Sequence, residues 1–468
     1  MNKLSVKCLT IGIIIMVQFF TLGISAQDKP NVIIILADDL GYATTGAFTN
    51  KSSKVDTPNI NRIAEEGAKF TDGYVTASVC GPSRAGLLTG RYQQRFGIYA
   101  NYDTQRGPGV PASEKVIGTY FKEAGYATAA IGKWHVGVKQ KGQHPIDRGF
   151  DKYYGFNSAQ TDYFNSSILF DGKTKVKKHK YLTFQFTEEA VGFIEKHKQK
   201  PFFMYLAYNA VHGPNQAPES YINKYIKKGI PKRMATQMAM IDALDEGVGK
   251  VLDALKANGL EENTLIYFLS DNGGLPSWWK GSNDPWKGFK REQWEGGNHV
   301  QFLMKWPKVI PAGQVRNETV FSLDILTTSL AAANIDLPKN IALDGKNILS
   351  VFKSKKTKEI HESIFWAGSH VERSGGAHKN AKKLPYPKDN APPAWAVRSG
   401  EWKLVQMMEF GASKLYNIRK DPAESTDVYV SNKKVVKKLT QSFANWFKDM
   451  SKPVAWDDQY YEQLKSIK

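Results

Sequence analysis

Between residues 31 and 335 short apolar runs alternate with stretches whose apolar positions recur at helical spacing, the pattern of an α/β fold on a mainly parallel sheet flanked by helices. The runs NVIIILA (31–37), YATAAIG (126–132), PFFMYLAY (201–208), TLIYFLS (264–270) and VQFLMKW (300–306) predict strands. Helices fit between them. One has Thr57 as N-cap, Pro58 at the first helical position and Gly67 at its end. Others are expected near 113–124, 184–197, 231–257 and 322–333.

After residue 352 the pattern changes. The basic stretch KSKKTKE reads as a linker, and SIFWA (363–367), AWAVRS (394–399), WKLVQM (402–407) and KLYNI (414–418) read as short antiparallel strands. An amphipathic helix over 433–449 closes the pattern, with Val435, Val436, Leu439, Phe443, Trp446 and Phe447 on one face. The expected organisation is a signal at 1–26, a catalytic domain at 27–352 and a smaller C-terminal α+β unit at 360–468. A Pro-rich polar loop between Gly375 and Pro393 is long enough to be either mobile or functional.

The first 26 residues carry Lys3 and Lys7, an apolar run and the small pair Ser25 and Ala26, which reads as an export signal and predicts a periplasmic or secreted protein. No second apolar stretch is long enough to span a bilayer, so no membrane insertion is expected after signal removal. The chain has two cysteines, and Cys8 falls inside the signal. Cys80 is thus left alone, which excludes an internal disulfide; packing as a small buried residue stays open. The net charge of +19 favours a polyanionic partner, either an acidic polysaccharide or nucleic acid. No nucleic-acid recognition module appears, so nucleic acid is not expected as the partner.

In an open α/β sheet, ligands bind beyond the carboxyl ends of the strands. Here four predicted strands end in Asp38 and Asp39, in Lys133 and His135, in His212, and in Asp271 and Asn272. Taken singly, DDLG and DNGG suit turns and a lone histidine suits a loop. Together, the oxygen donors suit Ca²⁺ or Mg²⁺ better than Zn²⁺. Cys80 precedes Gly81 and Pro82 at an expected helix start with Arg84 in the first turn, a place that favours an anion and predicts a thiol shifted toward thiolate.

The segment CGPSRAGLLTGR resembles the signature of the type I, formylglycine-dependent sulfatases, in the alkaline phosphatase-like superfamily, and the resemblance extends from NVIIILADDLGY to KLYNIRKDPAE. It implies that Cys80 is oxidised by a formylglycine-generating maturation enzyme, and that Asp38, Asp39, Asp271 and Asn272 bind one Ca²⁺ together with the modified residue 80. It further implies that Arg84 orients the hydrated aldehyde, that Lys133 and Lys290 hold the sulfate oxygens, and that His135 and His212 handle protons. The implied activity is hydrolysis of sulfate monoesters. Two departures from the family pattern stand out: Asn298 and His299 follow EGG, and Gly81 stands where a larger residue is commoner.

The stretch 274–294 interleaves tryptophans with Lys280, Lys287, Lys290 and Arg291, which suits a sulfated saccharide. Trp279, Lys287, His299, His370 and Arg373 are the candidate substrate contacts, and a sulfated polysaccharide or its oligosaccharides the expected substrate. A phosphatase or phosphonate monoester hydrolase of the same superfamily and a non-catalytic polyanion binder are the alternatives.

Overall fold

All seven residues of the first strand, Asn31–Ala37, are buried because their side chains alternate between two hydrophobic cores. Ile33, Ile35 and Ala37 enter one core and Val32, Ile34 and Leu36 the other, so a strand covered on both faces reads as an unbroken apolar run. Each fully covered isoleucine contributes about 1.5–3 kcal/mol. The computed structural model describes residues 29–49, 54–101, 108–277, 279–353, 359–368, 394–407, 412–454 and 458–467. The expected signal, most of the basic linker, the Pro-rich loop, Trp278, His370 and Arg373 lie outside the described residues.

The strands in chain order are β1 (Asn31–Ala37), β2 (Ala68–Phe70), β3 (Gly73–Tyr74), β4 (Ala127–Lys133), β5 (Lys152–Phe156), β6 (Phe170–Asp171), β7 (Thr174–Lys175), β8 (Phe202–Ala207), β9 (Thr264–Ser270), β10 (Phe302–Lys305), β11 (Gln314–Arg316), β12 (Val320–Phe321), β13 (Ile364–Gly368), β14 (Ala394–Ser399), β15 (Trp402–Gln406) and β16 (Lys414–Asn417). A ten-stranded sheet runs β11-β2-β10-β9-β1-β8-β4-β5-β6-β7. Its centre, β9-β1-β8-β4-β5, is parallel, whereas β10 pairs antiparallel with β9 and β6 antiparallel with β5. The sheet is therefore mixed and mainly parallel.

Helices α1 (Pro58–Glu65), α2 (Cys80–Thr89), α3 (Ile117–Glu123), α4 (Leu182–His197), α5 (Glu219–Ile226), α6 (Lys232–Ala257), α7 (Glu295–Asn298), α8 (Asp324–Ala332), α9 (Lys433–Phe447) and α10 (Asp458–Lys465) complete the fold. Residues of α1, α4, α5 and α6 share a core with one face of the sheet, and residues of α2, α3 and α8 with the other. β13 to β16 form a separate four-stranded antiparallel sheet in chain order, on which α9 packs Val436, Leu439, Phe443 and Phe447.

One helix end differs from the sequence reading. Thr57 occupies the N-cap of α1 but makes no cap bond, because its hydroxyl accepts from Gly46 N at 2.9 Å and donates to Asn61 Oδ1 at 3.1 Å. Asp245 on α6 caps α1 instead, accepting from Asn59 N at 3.1 Å and Ile60 N at 2.8 Å.

Candidate active site

The carboxyl ends of β1, β4, β8 and β9 lie side by side, and backbone bonds that prolong the ladder fix the residues just beyond them. Asp38 N donates to Ala210 O at 2.9 Å, Val211 N to Asp38 O at 2.7 Å and Asp271 N to Ala37 O at 3.0 Å. These bonds gather Asp38, Asp39 and Asp271 so that one oxygen from each lies within 4.8 Å of the other two, and the same holds for ligand atoms of Asp38, Cys80 and His212. The three carboxylates are essentially buried, at 0–2% exposure.

Basic groups close around them. Lys133 Nζ stands 2.6 Å from Asp38 Oδ2, and Lys290 Nζ 2.8 Å from Asp39 Oδ1 and 3.6 Å from Cys80 Sγ. Arg84, wholly buried at the fifth position of α2, donates Nε to Asp271 Oδ2 at 2.9 Å and Nη1 to Lys133 O at 2.9 Å. His212 Nε2 lies 3.7 Å from Asp39 Oδ2, while its Nδ1 contacts Gly213 O at 2.8 Å. Tyr163, not singled out by the sequence, holds that turn by donating its hydroxyl to Asn209 O at 2.5 Å. His135 takes a left-handed backbone (φ 57°), and its buried Nδ1 has no partner among the described residues.

Lys290 reaches this cluster through a tight loop. Asn283 accepts from Gly274 N at 2.8 Å and donates to Gly274 O at 3.0 Å and Gly288 O at 3.1 Å, which ties the segment after β9 to the segment before α7. The backbones approach so closely that a Cβ on Gly273 would stand 1.8 Å from Gly296 O, so both DNGG and EGG need their glycines.

Burial and then the charge of Asp38 push the Asp271 carboxyl up to about 6. Burial alone would raise the Asp39 carboxyl too, but Lys290 and then His212 hold it well below the usual carboxylate range. Burial, and next Lys290, press His212 down to about 3, and burial with Lys133 presses His135 well below its ordinary value. Cys80 corrects the sequence reading. Burial pushes its thiol up, outweighing Lys133 and Lys290, and Pro82 sits at the third position of α2, which begins at Cys80 itself.

The donor set fits a hard divalent cation. Among the described residues Asp38 Oδ1 and Asn272 Oδ1 are buried without hydrogen-bond partners, and three carboxylates this close repel one another unless positive charge lies between them. The residues that would hold it are Asp38, Asp39, Asp271 and Asn272, with residue 80 alongside.

The expected substrate contacts separate from this cluster. Trp279, 6% exposed, packs into the core on the α4–α6 side of the sheet. His299, 1% exposed, bonds Glu295 Oε2 at 3.0 Å and Thr71 O at 2.7 Å and stacks on Trp286. Both are corrected to packing roles, since neither ring has a face free for a sugar. Lys287 is exposed, but its Nζ lies 3.8 Å over the Trp294 ring and donates to Glu424 O at 3.0 Å, toward the C-terminal unit. Asn298, the other departure after EGG, donates to Gln293 Oε1 at 3.0 Å.

Sequence reasoning also missed how the C-terminal sheet braces this region. Glu295, at the start of α7, accepts from Lys403 Nζ of β15 at 2.8 Å and Tyr74 Oη at 2.5 Å, and its own N–H donates to Glu424 Oε2 at 2.7 Å. Arg398 of β14 donates to Asp72 Oδ2 at 2.9 Å, and Trp366 Nε1 of β13 to Val75 O at 2.7 Å. Charged residues at strand positions after residue 394 are the only trace this leaves in the sequence.

The family model for sulfatases matches residues 30–335, and a model described as N-sulphoglucosamine sulphohydrolase, C-terminal, matches residues 286–451. The chain is 32% identical over 494 aligned positions to the uncharacterized sulfatase YdeN of Escherichia coli strain K12, covering 92% of this chain and 87% of that one. It is 32% identical over 362 positions to the N-acetylgalactosamine-6-sulfatase of Mus musculus, covering 70% and 67%. The crystal structure of Ps i-CgsB in complex with k-i-k-neocarrahexaose matches with a TM-score of 0.82 and 35% identity, over 93% of this chain and 96% of that one.

Proposed function

The chain belongs to the sulfatase family and is a sulfuric ester hydrolase, and from that premise we propose that it removes sulfate from a sulfated oligosaccharide, using one Ca²⁺ and a formylglycine made from Cys80. The observation that carries the proposal is the meeting of three buried carboxylates, two lysines and Cys80 Sγ at the strand ends, with Lys290 Nζ 3.6 Å from that sulfur. The sugar part of the proposal rests on relatives named for N-acetylgalactosamine 6-sulfate chemistry and solved with a neocarrahexaose. The maturation enzyme acts on Cys80 as a partner, and the signal at 1–26 routes the product out of the cytoplasm. No helix among the described residues is long and apolar enough to cross a membrane.

Bound between Asp38, Asp39, Asp271 and Asn272, the cation supplies the charge that offsets the carboxylates and makes a hydroxyl on residue 80 more acidic. The converted residue supplies that hydroxyl as the nucleophile toward sulfur, its proton passing to the Asp271 carboxylate as the bond from sulfur to the sugar oxygen breaks. Arg84, anchored on Asp271 and Lys133 O, fixes the first turn of α2 and hence the direction of the residue 80 side chain. Lys133 and Lys290 exchange part of their pairing with Asp38 and Asp39 for the sulfate oxygens and stabilise the charge that builds there. Burial depresses the proton affinity of His212 most and Lys290 next; a sulfate that offsets Lys290 relieves the second of these and favours His212 as the group that carries a proton to the departing sugar oxygen. His135, neutral and with Nδ1 unpartnered among the described residues, accepts the proton that residue 80 gives up when sulfate leaves.

Two measurements test this. Mass spectrometry of the tryptic peptide carrying residue 80 should find the aldehyde; an intact thiol in an active preparation removes formylglycine from the proposal. Matched sulfate and phosphate monoesters should be split in favour of sulfate, and the reverse order transfers the chain to phosphate chemistry.

A further inference from the structure

Helix α2 begins without a local cap. Val79 stands at the N-cap and its side chain offers no acceptor, so the first N–H groups need partners from elsewhere. Pro82 brings no N–H, and Ser83 N reaches Val79 O at 3.2 Å. The Gly81 N–H is met from another part of the chain: Asn101 Oδ1 accepts it at 2.9 Å. That bond fixes which way the Asn101 amide faces, and the other end, Nδ2, points to Cys80 Sγ at 3.8 Å. The heteroatom on Cβ of residue 80 therefore faces two donors, the Lys290 ammonium and the Asn101 amide.

Gly81 makes this possible. A Cβ there would stand 3.0 Å from Asn101 Oδ1 and 3.5 Å from His135 O, closer to the oxygen of Asn101 than side chains ordinarily pack. The position where this chain departs from the commoner, larger residue is thus one where a Cβ would press Asn101 back by a few tenths of an ångström.

We propose that Asn101 is a positioning residue for the nucleophile: its carbonyl oxygen caps Gly81 and its amide nitrogen donates a hydrogen bond to the heteroatom on Cβ of residue 80. Cys80 Sγ stands in for the oxygen that occupies this place after conversion, so the inference rests on reading residue 80 as the source of the nucleophile. A hydroxyl held by this donor and by Lys290 does not rotate freely, and the attacking atom is kept in one direction relative to the sulfur.

Three single variants, one double variant and two readouts test it. Asn101→Asp keeps an oxygen for the Gly81 N–H and removes the donor; Asn101→Leu removes both; Gly81→Ala leaves Asn101 intact and displaces it. On a sulfated oligosaccharide that the wild type hydrolyses, each should lower kcat about ten- to a hundredfold, with KM within about threefold of wild type. The double variant Gly81→Ala/Asn101→Leu should be no slower than Asn101→Leu alone. Hydrogen exchange of a peptide spanning residues 80–84, in which Pro82 contributes no amide, should speed up in Asn101→Leu and stay protected in Asn101→Asp.

Retention of wild-type kcat by Asn101→Asp with protected exchange reduces Asn101 to a helix cap and overturns the inference. Losses that add in the double variant do the same. Exchange at residues 80–84 needs no turnover. A wild type with Asn101-dependent protection that releases no sulfate overturns the sulfatase proposal, whereas an active wild type indifferent to all three variants overturns this one.

Discussion

Lys290 shows how far single residues were legible. The resemblance assigned it to the sulfate and Lys287 to substrate contact, and the structure sets the Lys290 ammonium against Asp39 and Cys80 Sγ while Lys287 lies on Trp294. Asp38, Asp39, Lys133, His212 and Asp271 were legible for a different reason: strand ends can be read from apolar runs, and residues just past a strand end in this fold face the ligand side. Trp279 and His299 misled because aromatic and basic residues look alike in sequence whether they pack inward or outward. Asn101 carried no signal at all, since its partner Gly81 is 20 positions away and no motif joins them. Two outcomes belong to this scale. Lys290→Ala should cut kcat about 10²- to 10³-fold in steady-state sulfate release, as loss of a donor to developing charge does. Cys80→Ser should release at most one sulfate per protein in a burst measurement, because a serine has no second hydroxyl with which to discharge the ester.

At the scale of elements, strands were read more closely than helix ends. β1 and β9 coincide with their apolar runs because two cores cover both faces, whereas the short strands β6, β7 and β11, at or next to the ends of the sheet, bury too little to leave an apolar run. β10 turned antiparallel to β9, a direction no local pattern encodes. The N-terminus of α1 was misread for a similar reason: Thr57 has the right chemistry, but Asp245, 185 residues from Ile60, makes the cap. Asp245→Ala should therefore cost about 1–2 kcal/mol, seen as a lower melting temperature with faster hydrogen exchange over α1, while Thr57→Ala leaves the exchange of Asn59 and Ile60 unchanged. Equal effects of the two substitutions would return the cap to Thr57.

At the scale of the molecule, the C-terminal sheet reaches the catalytic half through buried charge: Lys403 of β15 serves both Glu295 and Glu424. Burial alone would raise the Glu295 carboxyl, yet Lys403 and His299 hold it well below the usual range, while burial, with Glu295 nearby, pushes Glu424 up to about 7. A carboxyl whose folded value is raised from 4.5 contributes stability that is complete below about 4.5 and is lost as pH rises through about 7. Wild-type melting temperature should accordingly fall as pH rises from about 4.5 to about 7, and Glu424→Gln should remove that part of the fall. Lys403→Met strands two buried carboxylates and should destabilise by about 3–5 kcal/mol, with sulfate hydrolysis reduced because Glu295 opens the helix that follows Lys290. The four strands of this unit could be read from sequence; their ionic link to the catalytic half could not, since it joins positions more than a hundred residues apart.

The account as a whole requires one cation among Asp38, Asp39, Asp271 and Asn272, working with a converted residue 80. The most direct test is ion chromatography of sulfate released from defined sulfated oligosaccharides by the purified protein, before and after removal of metal with a chelator and again after Ca²⁺ is returned. Repeated turnover that stops on chelation and resumes with Ca²⁺ is the expected result. Release that is indifferent to the chelator, or no release from any sulfated oligosaccharide by protein carrying the aldehyde, contradicts it.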